Sequence, residues 1–216
     1  MRIGIIGPIG SGKSTLAMLL SRYYDIPLIE EPVEKNEYLP LFYEDKETFA
    51  LLSQNAFYSS LFLQMWKSRH EPDCVFDSTL FSNLVFTELL RLEGIMSAYE
   101  VALTYAIADE HLKRLPDVDV HVVLVAEEDR LFENVRKRGR DIEQDQHDYL
   151  KFHYANYYDV LDRIYKNYQV PKDKILYLRM DDVYVEEEFH RVRQVIEDFY
   201  AQVPDSMRAH IEQYDK

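Results

Sequence analysis

The chain has one cysteine, six glycines and one tryptophan among its 216 residues. The single cysteine, Cys74, cannot form a disulfide within the chain, so we expect a protein of the reducing cytoplasm. No apolar run approaches the roughly 18 residues that a membrane-spanning helix needs. The sequence therefore predicts no membrane partner.

Basic residues are scarce relative to acidic ones. The chain has 25 Lys and Arg against 39 Asp and Glu, which gives a formal net charge of −14. Nucleic-acid backbones are bound by an excess of Lys and Arg. The charge balance therefore argues against nucleic acid as a partner, and its simplest consequence is solubility.

A glycine-rich segment near the start carries the most specific signal. Residues 7–14, GPIGSGKS, match G-x-x-x-x-G-K-[ST] between a short apolar strand and the start of an apolar helix. The backbone N–H groups of such a loop, together with the helix N-terminus, bind phosphates. Lys13 is expected to reach the β- and γ-phosphates, and the Ser14 hydroxyl is expected to hold Mg²⁺. We predict that the loop binds ATP or another nucleoside triphosphate.

The length and the spacing of apolar segments predict the fold class. Candidate parallel strands occupy residues 2–6, 27–30, 74–77, 120–125 and 175–178. Segments with helical patterns separate them, including residues 48–66 and the tyrosine-rich residues 149–168. This alternation of strands and helices predicts an α/β fold of the P-loop NTPase type, with helices on both faces of a parallel sheet. We expect the tyrosines of 149–168 to be half-buried in packing or to lie at a subunit interface, rather than to form a ligand cage.

The chain length also limits the domain organisation. We expect one P-loop domain over 1–216 with a small lid at about 136–147, and no room for the accessory domains of motors, helicases or transporters. The first residues are read as strand and loop rather than as a signal peptide.

Polar residues follow the predicted strands, at the edge where sheets of this class bind ligands. Glu30-Glu31-Pro32-Val33 follows the second strand and Asp77-Ser78-Thr79 follows the third. After the fourth strand and its helix comes the basic stretch RKRGRDIEQ, residues 136–144. Arginines that close over transferring phosphates stabilise the charge of the transition state, so we predict that this stretch forms the lid.

Together these motifs resemble the deoxynucleoside kinases, especially the bacterial deoxyadenosine/deoxyguanosine kinase branch. The resemblance rests on GPIGSGKS, EEPV, NEYLPLFYED, a glutamine eleven residues after Tyr43, and RGRDIEQ, over about the first 165 residues. It implies a five-stranded parallel sheet and ATP-dependent phosphorylation of the 5′-hydroxyl of a deoxynucleoside, in nucleotide salvage. It also implies Mg²⁺ and a homodimer or heterodimer formed through helices.

The resemblance assigns roles to individual residues. Glu31 matches the general base that takes the proton of the 5′-hydroxyl. Tyr43 and Glu143 match the pair that binds the sugar 3′-hydroxyl, and Gln54 matches the amide that reads the base. Asp77 matches the carboxylate that serves Mg²⁺.

These assignments complete the predicted site. The catalytic residues are Glu31, Lys13, Arg138 and Arg140. The nucleotide-binding residues are Gly7, Pro8, Ile9, Gly10, Ser11, Gly12, Lys13, Ser14, Thr15 and Arg136. The substrate-binding residues are Glu31, Tyr43, Gln54, Asp77, Asn83 and Glu143, and the metal ligands are Ser14 and Asp77.

The sequence departs from the family pattern at several positions. Ser78 stands where the family has a phosphate-holding arginine, and Asn134 stands at a usual lid arginine, for which Arg136 is a candidate substitute. The Arg–Asp couple that reads the base in purine- and deoxycytidine-preferring members falls on Leu61 and Asn83. Because both the Arg and the Asp are absent, no unpaired charge is left buried. We therefore expect an altered base preference rather than loss of substrate binding.

Two alternatives to an active deoxynucleoside kinase remain at this stage. One is another small-molecule P-loop kinase, such as a nucleoside monophosphate kinase, although Glu31 stands where that acceptor needs basic residues. The other is a catalytically weak nucleotide-binding subunit that regulates an active partner, as Ser78 and Asn134 would suggest. Lys13, Ser14, Glu31 and Asp77 favour the active enzyme. The sequence leaves the base, the triphosphate donor and the identity of the partner subunit open.

Overall fold

The computed structural model describes residues 1–31, 33, 36–139, 146–209 and 211. Its strands are β1 (Arg2–Ile6), β2 (Leu28–Ile29), β3 (Cys74–Phe76), β4 (Val120–Val125) and β5 (Ile175–Arg179). Its helices are α1 (Lys13–Tyr24), α2 (Leu39–Glu44), α3 (Lys46–Lys67), α4 (Leu80–Leu92), α5 (Ala98–Leu112), α6 (Glu128–Arg138), α7 (His147–Asn167) and α8 (Glu186–Gln202). Short 3₁₀ turns lie at Lys172–Lys174 and Asp205–Met207.

The five strands form one parallel sheet in the order β2-β3-β1-β4-β5. This arrangement confirms the predicted fold class. The first strand lies in the middle of the sheet and all of its residues are buried, as its unbroken apolar sequence predicts. Because β1 lies between β3 and β4, the chain leaves it at the point where the strand order reverses, which is where sheets of this class bind ligands.

Each face of the sheet is covered by helices. One face packs Ile6, Phe76 and Val123 against residues of α3, α4, α5 and α7. The other packs Ile3 and Ile5 against residues of α1 and α8. Alternate residues of β1 thus serve opposite cores, as the two-residue period of a strand requires.

Local signals set the ends of several helices. The Asp45 side chain accepts from the backbone N–H of Thr48 at the start of α3, and Ser97 with Glu100 forms a capping box at the start of α5. Gly139 ends α6 with a φ of 67°, a left-handed conformation in which glycine avoids the Cβ clash.

The tyrosines of α7 belong to the core. Tyr149, Tyr154, Tyr157 and Tyr165 are each at most 7 % exposed. Tyr157 and Tyr165 pack in the core on one face of the sheet, and Tyr149 and Tyr154 pack in a separate apolar cluster. These four side chains are therefore buried more deeply than the half-buried packing expected from the sequence. None of the helices in the described ranges combines the length and apolar character needed to cross a membrane.

Candidate active site

The glycine-rich loop connects β1 to α1, and its glycines are required for different reasons. Gly10 and Gly12 have φ values of 84° and 91°, in the left-handed region. A Cβ atom on Gly7 would lie 2.6 Å from Ser11 Oγ, and one on Gly10 would lie 2.6 Å from the carbonyl oxygen of Leu131. The loop therefore depends both on backbone freedom and on close approach to its neighbours.

Lys13 folds back across the loop. Its Nζ donates to the carbonyl oxygens of Gly7 and Pro8, at 2.9 and 3.1 Å, and the side chain is nearly buried. Ser14 is exposed at the start of α1, and Thr15 is partly exposed beside it. These positions hold a cation and a hydroxyl at the helix N-terminus, where phosphate groups bind.

The second and third strands bring two carboxylates to the same edge of the sheet. Glu31 follows β2 and is partly exposed, whereas Asp77 follows β3 and is 6 % exposed. The Asp77 backbone N–H donates to the Ile29 carbonyl at 2.9 Å, which extends the pairing of the two strands to this edge. Asp77 Oδ1 is buried and makes no hydrogen bond within the described residues.

Tyr157 of α7 lies next to this edge, a feature that sequence reasoning missed. The side chain is fully buried. Burial first, and then the nearby Glu31 carboxylate, raise the pKa of Tyr157, while the Gly7 backbone and the Ser82 hydroxyl act in the opposite direction. The phenol is therefore neutral at any working pH, and the effect of Glu31 on its pKa places the Tyr157 side chain on the same side of the sheet as that carboxylate.

Ser78, where the resembling family has an arginine, is 1 % exposed. Its hydroxyl makes no hydrogen bond within the described ranges, and the same holds for the hydroxyls of Thr79 and Ser82. Small buried hydroxyls thus stand at the end of β3 and the start of α4.

A pair of amides lies on α3 and α4. Gln54 Oε1 accepts from Asn83 Nδ2 at 3.3 Å, and Thr87 Oγ1 lies 3.5 Å from the same oxygen. Gln54 and Asn83 are 6 and 7 % exposed, and Thr87 is fully buried. Because the Gln54 oxygen faces α4, its Nε2 is the group left to donate, while Asn83 Oδ1 has no partner among the described residues.

The position that would carry the family's charged base reader is part of the core. Leu61, on α3, is 3 % exposed and packs with Phe76 and Leu84. Asn83, at the other position of the couple, turns to Gln54 instead. Sequence reasoning identified both replacements but missed Thr87, which lies one helical turn after Asn83 and faces the same side.

Tyr43 lies on α2 and packs edge-on against Phe42 and Tyr149, with ring centroids 5.3 and 6.0 Å apart. It is partly exposed. The predicted partner Glu143 and the lid residue Arg140 lie outside the described residues.

The basic end of α6 lies beside the glycine-rich loop. Arg136, Lys137 and Arg138 form the last turn of the helix and are exposed. Asn134, at the position of a usual lid arginine, donates from Nδ2 to the Gly10 carbonyl oxygen at 2.8 Å. Successive residues of a helix are 100° apart, so Arg138 shares the face of Asn134, whereas Arg136 points away from it.

A cavity of about 270 Å³ lies elsewhere. Asp117 and Val118, which border it, precede β4, and Pro171 precedes β5. These residues lie at the amino edge of the sheet, but Thr79, Leu80 and Phe81 at the start of α4 line the cavity as well. None of the predicted site residues that the structure describes lines it.

Comparison with known proteins identifies the family. Residues 3–206 match the family model described as deoxynucleoside kinase. The chain belongs to the deoxynucleoside kinase family. A deoxyguanosine kinase of Lactobacillus acidophilus is 31 % identical over 171 residues, or 76 % of this chain and 73 % of that one. A deoxyadenosine kinase of Dictyostelium discoideum is 31 % identical over 170 residues, or 75 % and 67 % of the two chains.

Solved structures confirm the fold. A deoxyadenosine kinase from M. mycoides with bound dATP superposes with a TM-score of 0.77 at 20 % identity, covering 91 % of this chain and all of that chain. The same protein with bound dCTP gives a TM-score of 0.75 at 19 % identity, over 92 % of this chain.

The family membership settles the class of reaction. The chain is a deoxynucleoside kinase, a transferase that phosphorylates a deoxynucleoside with ATP. The resemblance stated from the sequence motifs is thereby confirmed.

Proposed function

We propose that the carboxyl edge of the sheet transfers the γ-phosphoryl group of ATP to the 5′-hydroxyl of a deoxynucleoside, with Glu31 as general base. The glycine-rich loop at the end of β1, Glu31 after β2 and Asp77 after β3 all lie at this edge. The common position of these three groups supports the proposal, because the attacking oxygen of the acceptor must be in line with the bond that breaks in the donor.

The proposed step is a direct displacement. The 5′-oxygen forms a bond to the γ-phosphorus as the bond from that phosphorus to the β,γ-bridging oxygen breaks, which releases ADP. Glu31 takes the hydroxyl proton. Lys13 and Arg138 stabilise the charge on the phosphoryl oxygens; Arg140 and Arg136 are proposed to assist them.

The residues present fit a magnesium ion bound mainly through phosphates. No cluster of three or more His, Cys, Asp or Glu side chains suited to a metal occurs in the part of the chain that the structure describes. Mg²⁺ in kinases keeps few protein ligands, and the exposed Ser14 hydroxyl and the Asp77 carboxylate are of the right chemistry. The ion would neutralise phosphate charge; the two side chains would orient it.

We propose that a pair of amides reads the base. Gln54 offers its Nε2 as a donor, and Asn83 offers Oδ1 as an acceptor. Both purines present a matching edge, N1 with the 6-amino group in adenine and O6 with N1–H in guanine. The names of the relatives, deoxyguanosine kinase and deoxyadenosine kinase, support a purine deoxynucleoside as the acceptor. Tyr43 and Glu143 are proposed to bind its 3′-hydroxyl.

We also propose a dimer formed by a second copy of the chain. Tyr99, Leu103 and Ile107 are 74, 41 and 43 % exposed at four-residue spacing on α5, so they form one apolar stripe. Leu52 and Leu63 are exposed on α3, which packs beside α5. Sedimentation of the wild type should show a dimer, and the double variant Leu103→Glu, Ile107→Glu should sediment as a monomer. A wild type that sediments as a monomer would remove this part of the proposal.

A cytoplasmic location remains a proposal. It rests on Cys74, which is buried and has no cysteine partner in the chain.

The experiment that tests the function is a substrate panel. Purified protein receives Mg–ATP and each of the four deoxynucleosides, and the product is compared with 5′- and 3′-monophosphate standards. We expect 5′-monophosphate, formed fastest from a purine deoxynucleoside. Tight binding of ATP with no transfer to any of the four would instead support the regulatory subunit that Ser78 and Asn134 suggested.

A further inference from the structure

The glycine-rich loop is tied to helix α6 by one side chain. Asn134 Nδ2 donates to the carbonyl oxygen of Gly10 at 2.8 Å. The two residues are 124 positions apart in the chain, so the bond joins two separate elements of the site. The side chain is partly buried, which shields the bond from competition with water.

This bond fixes the orientation of one peptide group. The Gly10 carbonyl and the Ser11 N–H belong to the same planar peptide unit. The Ser11 N–H donates to the Pro8 carbonyl at 3.2 Å. With a bond at each end, this peptide plane cannot rotate freely, although it follows a glycine whose φ of 84° lies in a region that glycine enters and leaves easily.

Packing at the same point leaves the loop little room to move. A Cβ on Gly10 would lie 2.6 Å from the Leu131 carbonyl oxygen and 3.1 Å from Val135 Cγ2. Leu131 and Val135 are 1 and 3 % exposed. The backbone of the loop therefore rests directly on the buried side of α6, and Asn134 bonds to it at this contact.

The bond also fixes which basic side chain lies on the loop side of α6. Asn134 and Arg138 are four residues apart and share a helix face. Lys137 lies slightly farther round the helix from Asn134 than Arg138 does, and its ammonium group pairs with Glu133 at 2.8 Å. A helix attached through Asn134 thus presents Arg138 on the side of the phosphate-binding loop.

We propose that Asn134 is a positioning residue for the triphosphate: it fixes the Gly10–Ser11 peptide and holds the Arg138 face of α6 over the loop. The inference rests on the proposed nucleotide site. Asn134 thereby has a defined task in place of the family's arginine, because its short amide reaches the loop backbone rather than the nucleotide. Loss of the amide should weaken ATP binding more than it weakens binding of the deoxynucleoside.

The test compares Asn134→Ala with Asn156→Ala. Asn156 is also partly buried, and its Nδ2 donates to a backbone carbonyl at 2.8 Å, that of Phe152 within α7. Both variants lose the same type of bond, but only one bond reaches the loop. The dissociation constant of Mg–ATP is measured by calorimetry without deoxynucleoside, well below the melting temperature of each variant.

We expect Asn134→Ala to raise the dissociation constant of Mg–ATP about tenfold, as for one lost hydrogen bond to a preorganised site. The KM of the deoxynucleoside should stay within about twofold of the wild type. Asn156→Ala should bind Mg–ATP like the wild type. Asn134→Gln, which retains the donor, should recover part of the loss.

Two results would overturn the inference while leaving the nucleotide site intact. One is wild-type affinity for Mg–ATP in Asn134→Ala, and the other is an equal loss in Asn156→Ala. A wild-type protein that fails to bind Mg–ATP is distinguishable from both, because it would contradict the nucleotide site itself.

Discussion

Lys13 is the side chain whose surroundings connect most directly to nucleotide binding. Its ammonium group donates to two carbonyl oxygens of its own loop. Triphosphate oxygens carry more negative charge than carbonyls and accept stronger bonds from an ammonium group. The same side chain can therefore hold the loop together and bind the nucleotide.

We predict that Lys13→Ala weakens Mg–ATP binding by more than about tenfold, since charge-assisted bonds to phosphate are lost. The free energy of unfolding should fall by no more than about 3 kcal/mol, because the two hydrogen bonds that the ammonium group donates are offset by the cost of burying its charge. Calorimetry and urea unfolding measure the two effects. Lys113→Ala is the control, because Lys113 is exposed and pairs with Glu110 on the surface. Unchanged nucleotide affinity in Lys13→Ala would contradict a functional loop.

Several residue positions could be read from the sequence because a motif or a strand end marks them. Lys13, Ser14 and Glu31 are of this kind. Thr87 and Tyr157 are not, because each acts through a contact between elements distant in the chain. The bond from Asn134 to Gly10 could not be predicted for the same reason. The motif shows that an arginine is missing at position 134, but only the fold shows which atom the Asn134 amide contacts.

At the scale of elements, the glycine-rich loop and α6 are in close backbone contact at Gly10. We predict that Gly10→Ala is more destabilising than Gly94→Ala. Both glycines have positive φ, at 84 and 85°, so both variants carry backbone strain of about 1 kcal/mol. Only the Gly10 variant also brings a Cβ within 2.6 Å of a helix carbonyl, whereas Gly94 has no neighbour within 4 Å.

Urea unfolding of both variants measures the difference, which we expect to be about 1–3 kcal/mol, as for overpacking. Mg–ATP affinity should fall only in Gly10→Ala. Equal stability losses in the two variants would show that α6 moves to accommodate the added Cβ, and that the contact with α6 does not fix the loop.

The elements themselves were largely predictable. The first and fourth strands match the sequence prediction at both ends, since their runs of Ile and Val are long enough to be unambiguous. The second strand is shorter than predicted, Leu28–Ile29, because only this part pairs with β3. The helix predicted over 48–66 begins earlier, at Lys46, where Asp45 caps it.

At the scale of the whole molecule, the buried Cys74 links stability to pH. Burial raises the pKa of this thiol from 9.0 to about 11. Because the folded state binds the proton more tightly, the stabilisation is fully present below pH 9 and is lost as the pH rises through 11. We predict that the unfolding free energy of the wild type falls between these values by up to about 2–3 kcal/mol more than that of Cys74→Ala.

Denaturant unfolding of the wild type and of Cys74→Ala at pH 8, 9, 10 and 11 measures this difference. The tyrosines titrate in both proteins, so their contribution cancels in the comparison. Iodoacetamide should also label the native thiol slowly at pH 8. Rapid labelling in the absence of denaturant would show that Cys74 is accessible and would remove the basis of the pH effect.

In the proposed mechanism, the parallel sheet brings Glu31 to the nucleotide as the base of the transfer. The most direct measurement is the single-turnover rate of 5′-monophosphate formation by the wild type, Glu31→Gln and Glu30→Gln. Glu30 is the preceding residue in the chain and is exposed, so it is a matched control. We predict that Glu31→Gln lowers the rate by about 10²–10⁴-fold with unchanged Mg–ATP affinity, and that Glu30→Gln transfers at the wild-type rate. Full turnover in Glu31→Gln would contradict the account.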